Sequence, residues 1–289
     1  VSLTASNSRW KIVACDLDGT LIGWNHKIND RDLDALRAAR AAGFHVAICT
    51  GRNSLESAGI VRALDLTGPG IFANGAMVCD MATGKAMDSQ VMGDDIALEA
   101  IHFFGQRGHA VLVLADHPDT RLPAYILTDH GPPHRATTDW LLKNRVHADA
   151  VNMLPPEFFG HIVRTGIVVN VTEAAALHRD LVTHFGPRAA THSIYSPHYD
   201  IQIVELFHPG ANKWSGLEHL AKLMDVGADA IITIGDDIND LPMLQHAALS
   251  FAMDGAVPSV LAAAKRRTPP QSECGVAQVI DALLAGELE

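Results

Sequence analysis

Asp16 and Asp18 are two carboxylates two residues apart in the run Asp16-Leu17-Asp18-Gly19-Thr20, directly after the apolar stretch Ile12-Val13-Ala14-Cys15. The stretch reads as a buried strand closed by a Gly turn. Carboxylates so placed converge on a small volume and repel, which is costly without a cation or a shared proton. Chemistry uses such a pair when one Asp attacks, the other handles protons and a Mg²⁺ ion neutralises the cluster. The plainer alternative is an acidic turn after a strand, where Asp and Gly are common.

Three further stretches bear on that choice. Ala47-Ile48-Cys49 is a second apolar run, ending in Thr50-Gly51-Arg52: a hydroxyl, a glycine and a cation. Ile231 to Ile234 is a third, ending in Gly235-Asp236-Asp237-Ile238-Asn239-Asp240, and Lys213 opens a helical pattern between the two. In an open parallel sheet, ligands bind outside the carboxyl ends of the strands. Each polar group lies at the end of an expected strand or the start of an expected helix. That shared position, rather than any single motif, favours a site.

In this order the four stretches resemble motifs I to IV of the haloacid dehalogenase (HAD) superfamily, and more narrowly its Cof-type, class IIB phosphatases. Asp16-x-Asp18-Gly19-Thr20 is similar to motif I and Thr50-Gly51-Arg52 to motif II. Lys213 is similar to motif III, and Gly235-Asp236-x-x-Asn239-Asp240 to motif IV. Asn74-Gly75-Ala76 and Gly275-Val276-Ala277 also look like family segments. The resemblance covers residues 10–80 and 208–286. One departure stands at motif III, where the family often has Lys-Gly-x-Ala-Leu and this chain has Lys213-Trp214-Ser215-Gly216-Leu217.

The resemblance implies roles. Asp16 is the expected nucleophile and Asp18 the general acid, then base. Thr50, Gly51, Lys213 and Asn239 are expected on the phosphoryl group. Mg²⁺ is expected on the Asp16 side chain, the Asp18 carbonyl and Asp236. Asp240 binds the metal directly, binds it through water, or orients Lys213. Arg52 either faces substrate or ties down the core. Asp237, one residue off the pattern, is expected outside the metal's immediate ligands.

These groups need a scaffold, and the spacing outlines it. Residues 10–80 read as strand, helix, strand, helix, strand. Leu33, Leu36 and Ala39 mark the first helix, with Asn29 or Asp30 near its start and Gly43 near its end. Asn53 or Ser54 caps the second, which carries Leu55, Ile60 and Leu64. Alternating strands and helices imply an α/β, doubly wound parallel, Rossmann-like core. Between Thr20 and Thr50 lie 29 residues, room for one helix and one strand, whereas 160 separate Arg52 from Lys213. The excess is an inserted domain, which the resemblance makes an α+β cap of the C2B type. The expected domains are a flexible tail over 1–9, the core over 10–82 and 207–289, and the cap over 83–206.

Within the cap we expect a strand at 86–92, a helix at 94–107, strands near 109–115 and 123–128, and a helix from Thr138 to Lys143. A strand at 162–171, a helix at 173–185 and strands near 190–195 and 200–206 complete it. After Lys213, Trp214, Leu217, Leu220 and Leu223 lie on one helical face. Asn239 is the expected cap of the next helix, with Pro242 in its first turn. Leu249 to Met253 is a strand, and helices end near Ala263 and begin near Gly275.

The chain has 289 residues and 48% hydrophobic content, enough for a sizeable core. A net charge of −11 disfavours nucleic acid, which needs a basic footprint. It does not disfavour a phosphorylated substrate, because a metal and one Lys reverse the local field. The 16 His are scattered with no zinc spacing. Cys15, Cys49, Cys79 and Cys274 form no Cys-x-x-Cys pair, which fits a reduced, cytoplasmic setting. No apolar run is long enough to span a membrane.

The expected activity is Mg²⁺-dependent hydrolysis of a small phosphorylated metabolite, with sugar phosphates first. A phosphomutase of the phosphomannomutase type and a phospho-ligand sensor without turnover are the alternatives. The sequence leaves monomer and dimer open.

Overall fold

The computed structural model describes residues 3–23, 27–117, 122–196 and 200–288. In chain order its strands and helices begin with β1 (Ile12–Cys15), α1 (Asp30–Ala41), β2 (His45–Ile48), α2 (Ser54–Ala63), β3 (Pro69–Phe72), β4 (Met77–Asp80) and β5 (Ala86–Ser89). There follow α3 (Asp94–Gly105), β6 (Leu112–Ala115), β7 (Tyr125–Thr128), α4 (Arg135–Asn144), β8 (Ala148–Val151), β9 (Ile162–Asn170), α5 (Val171–Phe185), β10 (Ala190–Ser196) and β11 (Ile201–Phe207). The chain ends with α6 (Lys213–Leu223), β12 (Ile231–Gly235), α7 (Leu241–His246), β13 (Leu249–Met253), α8 (Pro258–Ala263), β14 (Arg266–Thr268) and α9 (Gly275–Leu284).

Two compact units result, one of residues 1–88 with 212–289, the other of residues 89–211. The first holds a five-stranded sheet in the order β14-β13-β12-β1-β2, with every pairing parallel. Strands Ile12–Cys15 and Ile231–Gly235 are buried throughout, as continuous apolar runs covered on both faces must be. On one face Ile12, Ala14 and Ala47 pack with Trp214, Leu217 and Leu220 of α6. Alternation turns Val13, Cys15, Val46 and Ile48 to the other face, where α1 lies against β2 and α9. The sheet order reverses between β1 and β12, the switch point at which such sheets leave a crevice.

Strand β3 adjoins β2 through a single parallel bridge, Cys49 to Ile71. Its sheet is a separate three-stranded one, β3-β4-β5, with β3 and β4 antiparallel. Ala86–Ser89 therefore belongs with the core rather than opening the cap. The division between the units falls at 88/89 and 211/212, against the expected 82/83 and 206/207; β5 is in one sheet with β3 and β4, and β11 runs to Phe207.

Residues 3–9, expected as a tail, are hydrogen-bonded to the core. The Leu3 N–H donates to the Leu284 carbonyl and the Ala5 N–H to that of Ala42. Trp10 Nε1–H, just beyond them, reaches the Leu288 carbonyl. Val1 and Ser2 lie outside the described residues.

The second unit is a six-stranded sheet, β10-β11-β9-β6-β7-β8, antiparallel except for the β7–β8 pair. Helices α3 and α5 cover one face, where Phe103, Phe104, Leu181 and Phe185 pack on Val113, Ile167 and Val204. This is an α/β core with a separate inserted sheet. No described helix is long and apolar enough to cross a membrane.

Candidate active site

Parallel register brings the sequence motifs to one edge. Cys15 pairs with Ile234 on one side and Ile48 on the other. The next residue on each chain segment, Asp16, Cys49 and Gly235, the last of β12, therefore lies at the same level. The Asp16 N–H donates to the Ile234 carbonyl and the Cys49 N–H to that of Cys15. Asp16, Thr50 and Asp236 emerge together at the switch point.

Lys213 arrives from a different element. Asn212 caps α6, its side chain accepting from the N–H groups of Trp214 and Ser215 at 3.0 Å each. The Ser215 hydroxyl faces back on the Asn212 N–H at 3.1 Å, so the cap is reciprocal. Gly75 lets this helix start come close. It has φ +95°, and a Cβ there would lie 1.8 Å from the Asn212 carbonyl oxygen. Only glycine fits that position. The result is a fully buried ammonium, with Lys213 Nζ 2.6 Å from Asp16 Oδ1 and 2.6 Å from Asp240 Oδ1.

Asp240 is completely buried and uses both oxygens. Oδ1 accepts from Lys213, and Oδ2 accepts the N–H groups of Asp236 and Asp237 at 2.9 and 3.0 Å. Asp237 caps the following 3₁₀ turn by accepting the Ile238 N–H. The expected cap, Asn239, instead donates to Asn74 Oδ1 at 2.9 Å. Asn74, at φ +54°, packs in turn against Gly51. Asp236 Oδ1 accepts from the Thr20 hydroxyl at 2.6 Å. Gly19, at φ +89°, leaves that carboxylate room: a Cβ there would sit 2.1 Å from Asp236 Oδ2.

Asp18 stands apart from this buried cluster. Its side chain is 57% exposed, and both its oxygens accept from Arg52, Nε at 2.8 Å and Nη2 at 2.5 Å. Thr50 is buried, and its hydroxyl accepts the Arg52 N–H at 3.1 Å.

The electrostatics follow from burial. Oxygens of Asp16, Asp236 and Asp240 lie within 4.8 Å of one another. Two like charges at that separation repel by roughly 3 kcal/mol at an effective dielectric near 20. One ammonium cannot offset three carboxylates. Burial, then Asp240, raise Asp16 well above the usual carboxylate range despite Lys213. Burial and Asp240 likewise push Asp236 up to about 7. Burial opposes the charge on Lys213, but Asp16 and Asp240 outweigh it and hold the ammonium protonated. An all-oxygen cluster with surplus negative charge fits a hard divalent cation such as Mg²⁺. Cys15 and Cys49 are buried, and desolvation raises both thiols, so neither is a ready thiolate.

Sequence motifs thus converge, with Asp18 and Arg52 at the exposed rim. Thr20 and Asn212 had no assigned role from sequence. Thr20 lies inside the first motif, but nothing in its spacing points to Asp236. Asn212 carried a readable signal, an Asn before a helix with Ser three residues on.

The family model for haloacid dehalogenase-like hydrolases matches residues 13–280. Among curated proteins, YxeH of Bacillus subtilis (strain 168) is 28% identical over 95% of this chain and 98% of its own length. YwtE of the same organism, a 5-amino-6-(5-phospho-D-ribitylamino)uracil phosphatase, is 25% identical over 96% of this chain and 99% of its own. Among solved structures, the HAD subclass IIB sugar phosphatase BT4131 superposes with a TM-score of 0.76 at 19% identity, covering 94% of this chain and 98% of that one. The chain belongs to the haloacid dehalogenase-like hydrolases, and its fold is that of the subclass IIB structure BT4131.

Proposed function

We propose that this phosphatase hydrolyses a small phosphomonoester through a phosphoryl group carried on Asp16, with Mg²⁺ as cofactor. The observation that carries the reading is the buried Asp16–Lys213–Asp240 array at the switch point, beside Asp236. A carboxylate oxygen of Asp16 attacks phosphorus, and the bond to the leaving alkoxide breaks. Asp18 gives that alkoxide its proton. Asp18 then takes a proton from the attacking water, and the Asp16–phosphorus bond breaks to release inorganic phosphate.

The Thr50 hydroxyl and the Gly51 N–H hold the phosphoryl oxygens, with Asn239 as a further contact. Lys213, tied to Asp16 and Asp240, presents a fixed positive charge to them. Asp16, Asp236 and the Asp18 carbonyl would hold Mg²⁺, which when bound supplies charge neutralisation to nucleophile and phosphoryl group. Asp240 is better placed to orient Lys213 and the loop after β12 than to bind the ion directly, since both its oxygens already accept hydrogen bonds.

The substrate class follows YwtE, a phosphatase of a phosphorylated ribityl compound, and BT4131, a sugar phosphatase. A phosphorylated sugar or polyol is the first candidate. The four free thiols accord with a reducing, cytoplasmic setting. Phosphate release from a panel of sugar, polyol and cofactor phosphates, with Mg²⁺ and with chelator, tests the reading. Release that depends on Mg²⁺ and vanishes in Asp16→Asn supports it. Isomerised product without phosphate release marks a mutase, and binding without turnover marks a sensor.

A further inference from the structure

Asp18, which the proposed function makes the acid and base, is exposed, whereas Asp16 and Asp240 are buried and Asp236 is half-buried. An exposed aspartate samples several rotamers, yet proton transfer needs its carboxyl within hydrogen-bond reach of the leaving oxygen. Arg52 resolves this. Its planar fork meets both Asp18 oxygens, through Nε at 2.8 Å and Nη2 at 2.5 Å, a geometry that sets direction as well as distance.

The fork has a fixed base. The Arg52 N–H donates to the Thr50 hydroxyl at 3.1 Å, and the Arg52 carbonyl accepts from the Ala73 N–H at 2.9 Å. Next along the chain, Asn53 caps α2 in a reciprocal box with Glu56, at 2.9 and 2.8 Å. The backbone beneath Arg52 is thus held on both sides. A guanidinium that engages both Asp18 oxygens must release Asp18 before it can clasp a phosphoryl group in the same way.

We propose that Arg52 is a positioning residue: it aims the Asp18 carboxyl from the turn that carries Thr50, and does not itself bind the phosphoryl group. This rests on the phosphatase reading above. Lysine cannot replace it, because an ammonium offers a point charge rather than a two-pronged fork.

The test uses the full chain with Mg²⁺ and two aryl esters, p-nitrophenyl phosphate and phenyl phosphate. The first loses a good leaving group that needs little protonation, the second a poor one that needs more. The ratio kcat/KM covers the step in which the leaving group departs. Arg52→Ala and Arg52→Lys are expected to lose roughly ten times more kcat/KM on phenyl phosphate than on p-nitrophenyl phosphate, a part of the usual acid–base contribution. Thermal midpoints should stay within a few degrees, since a partly exposed ion pair adds little stability. In an Asp18→Asn background, Arg52→Ala should cost less than about twofold more.

Equal losses on both esters overturn the proposal, as does a full additional loss in the Asp18→Asn background. A variant whose only change is a raised KM on both esters makes Arg52 a substrate ligand and also overturns it. A wild-type chain that hydrolyses neither ester fails the phosphatase reading itself, and is recognised before any variant is compared.

Discussion

Lys213 Nζ and Asp240 Oδ1 lie 2.6 Å apart with both side chains fully buried, and the same ammonium is 2.6 Å from Asp16 Oδ1. A residue from the start of α6 is thereby locked between the residue after β1 and the residue before α7. The lock serves charge as much as shape. Removing the ammonium leaves two buried carboxylates facing each other.

Lys213→Met should therefore damage the fold as well as the chemistry. Breaking a buried charge array by removing one partner costs about 3–5 kcal/mol. Urea unfolding of the metal-free variant should show a loss of that order, and Mg²⁺ should recover part of it. Phosphate release should fall at least ~100-fold, as when a preorganised charge is lost. A variant as stable as wild type without metal would mean that the array is not ionised as described.

The carboxylate cluster predicts a pH dependence of stability. Asp236 is held up to about 7 in the folded chain, against an ordinary value near 4. The folded state then binds more protons than the unfolded state between those values. Metal-free stability should fall as pH rises from about 4 to about 7 and level off above. Saturating Mg²⁺ should remove most of that slope, because the ion replaces the proton. Denaturation series across this range, with and without Mg²⁺, check it. A metal-free slope of the opposite sign would contradict the assignment.

Gly75 and Gly255 share a positive φ, +95° and +96°, but differ in surroundings. A Cβ at Gly75 meets the Asn212 carbonyl at 1.8 Å, whereas one at Gly255 meets nothing within 4 Å. Gly255→Ala should cost only the left-handed strain, about 1–2 kcal/mol, and keep activity. Gly75→Ala should cost more and lose most activity, because it displaces the residue that precedes Lys213. Thermal melts and turnover on p-nitrophenyl phosphate distinguish the two.

Substrate choice is expected to reside in residues 89–211. The core residues assigned here address only phosphate and metal, which every phosphomonoester presents alike. Replacing 89–211 with a short linker should leave hydrolysis of an aryl phosphate while flattening the kcat/KM ratio between two dissimilar metabolite phosphates. A folded core that keeps the full-length ratio would place selectivity elsewhere.

Much of this architecture was legible in the chain. Ile12–Cys15 and Ile231–Gly235 are apolar runs with carboxylates at their ends, and a parallel sheet has one place for such groups. Strands β4, β8 and β14 were not legible. Ala148–Val151 is only partly buried, and Arg266–Thr268 exposes two arginines, so neither carries an apolar pattern. Both are edge strands, recruited by neighbours rather than by their own burial. Within the site, residue types were readable but partners were not. Nothing in the spacing of Asp240 tells that its second oxygen accepts two backbone N–H groups, or that Arg52 grips Asp18. Those contacts depend on how loops close after the strands have assembled.

Asp16 is expected to carry the phosphoryl group during turnover. Rapid quenching of the Mg²⁺-loaded enzyme during hydrolysis of ³²P-labelled substrate, followed by peptide mapping, measures this directly. Label is expected on the peptide containing Asp16, lost on treatment with hydroxylamine and absent from Asp16→Asn, which should remain folded and inactive. Turnover near the wild-type rate in Asp16→Asn, or a wild-type enzyme that releases phosphate with label on another residue, would contradict it.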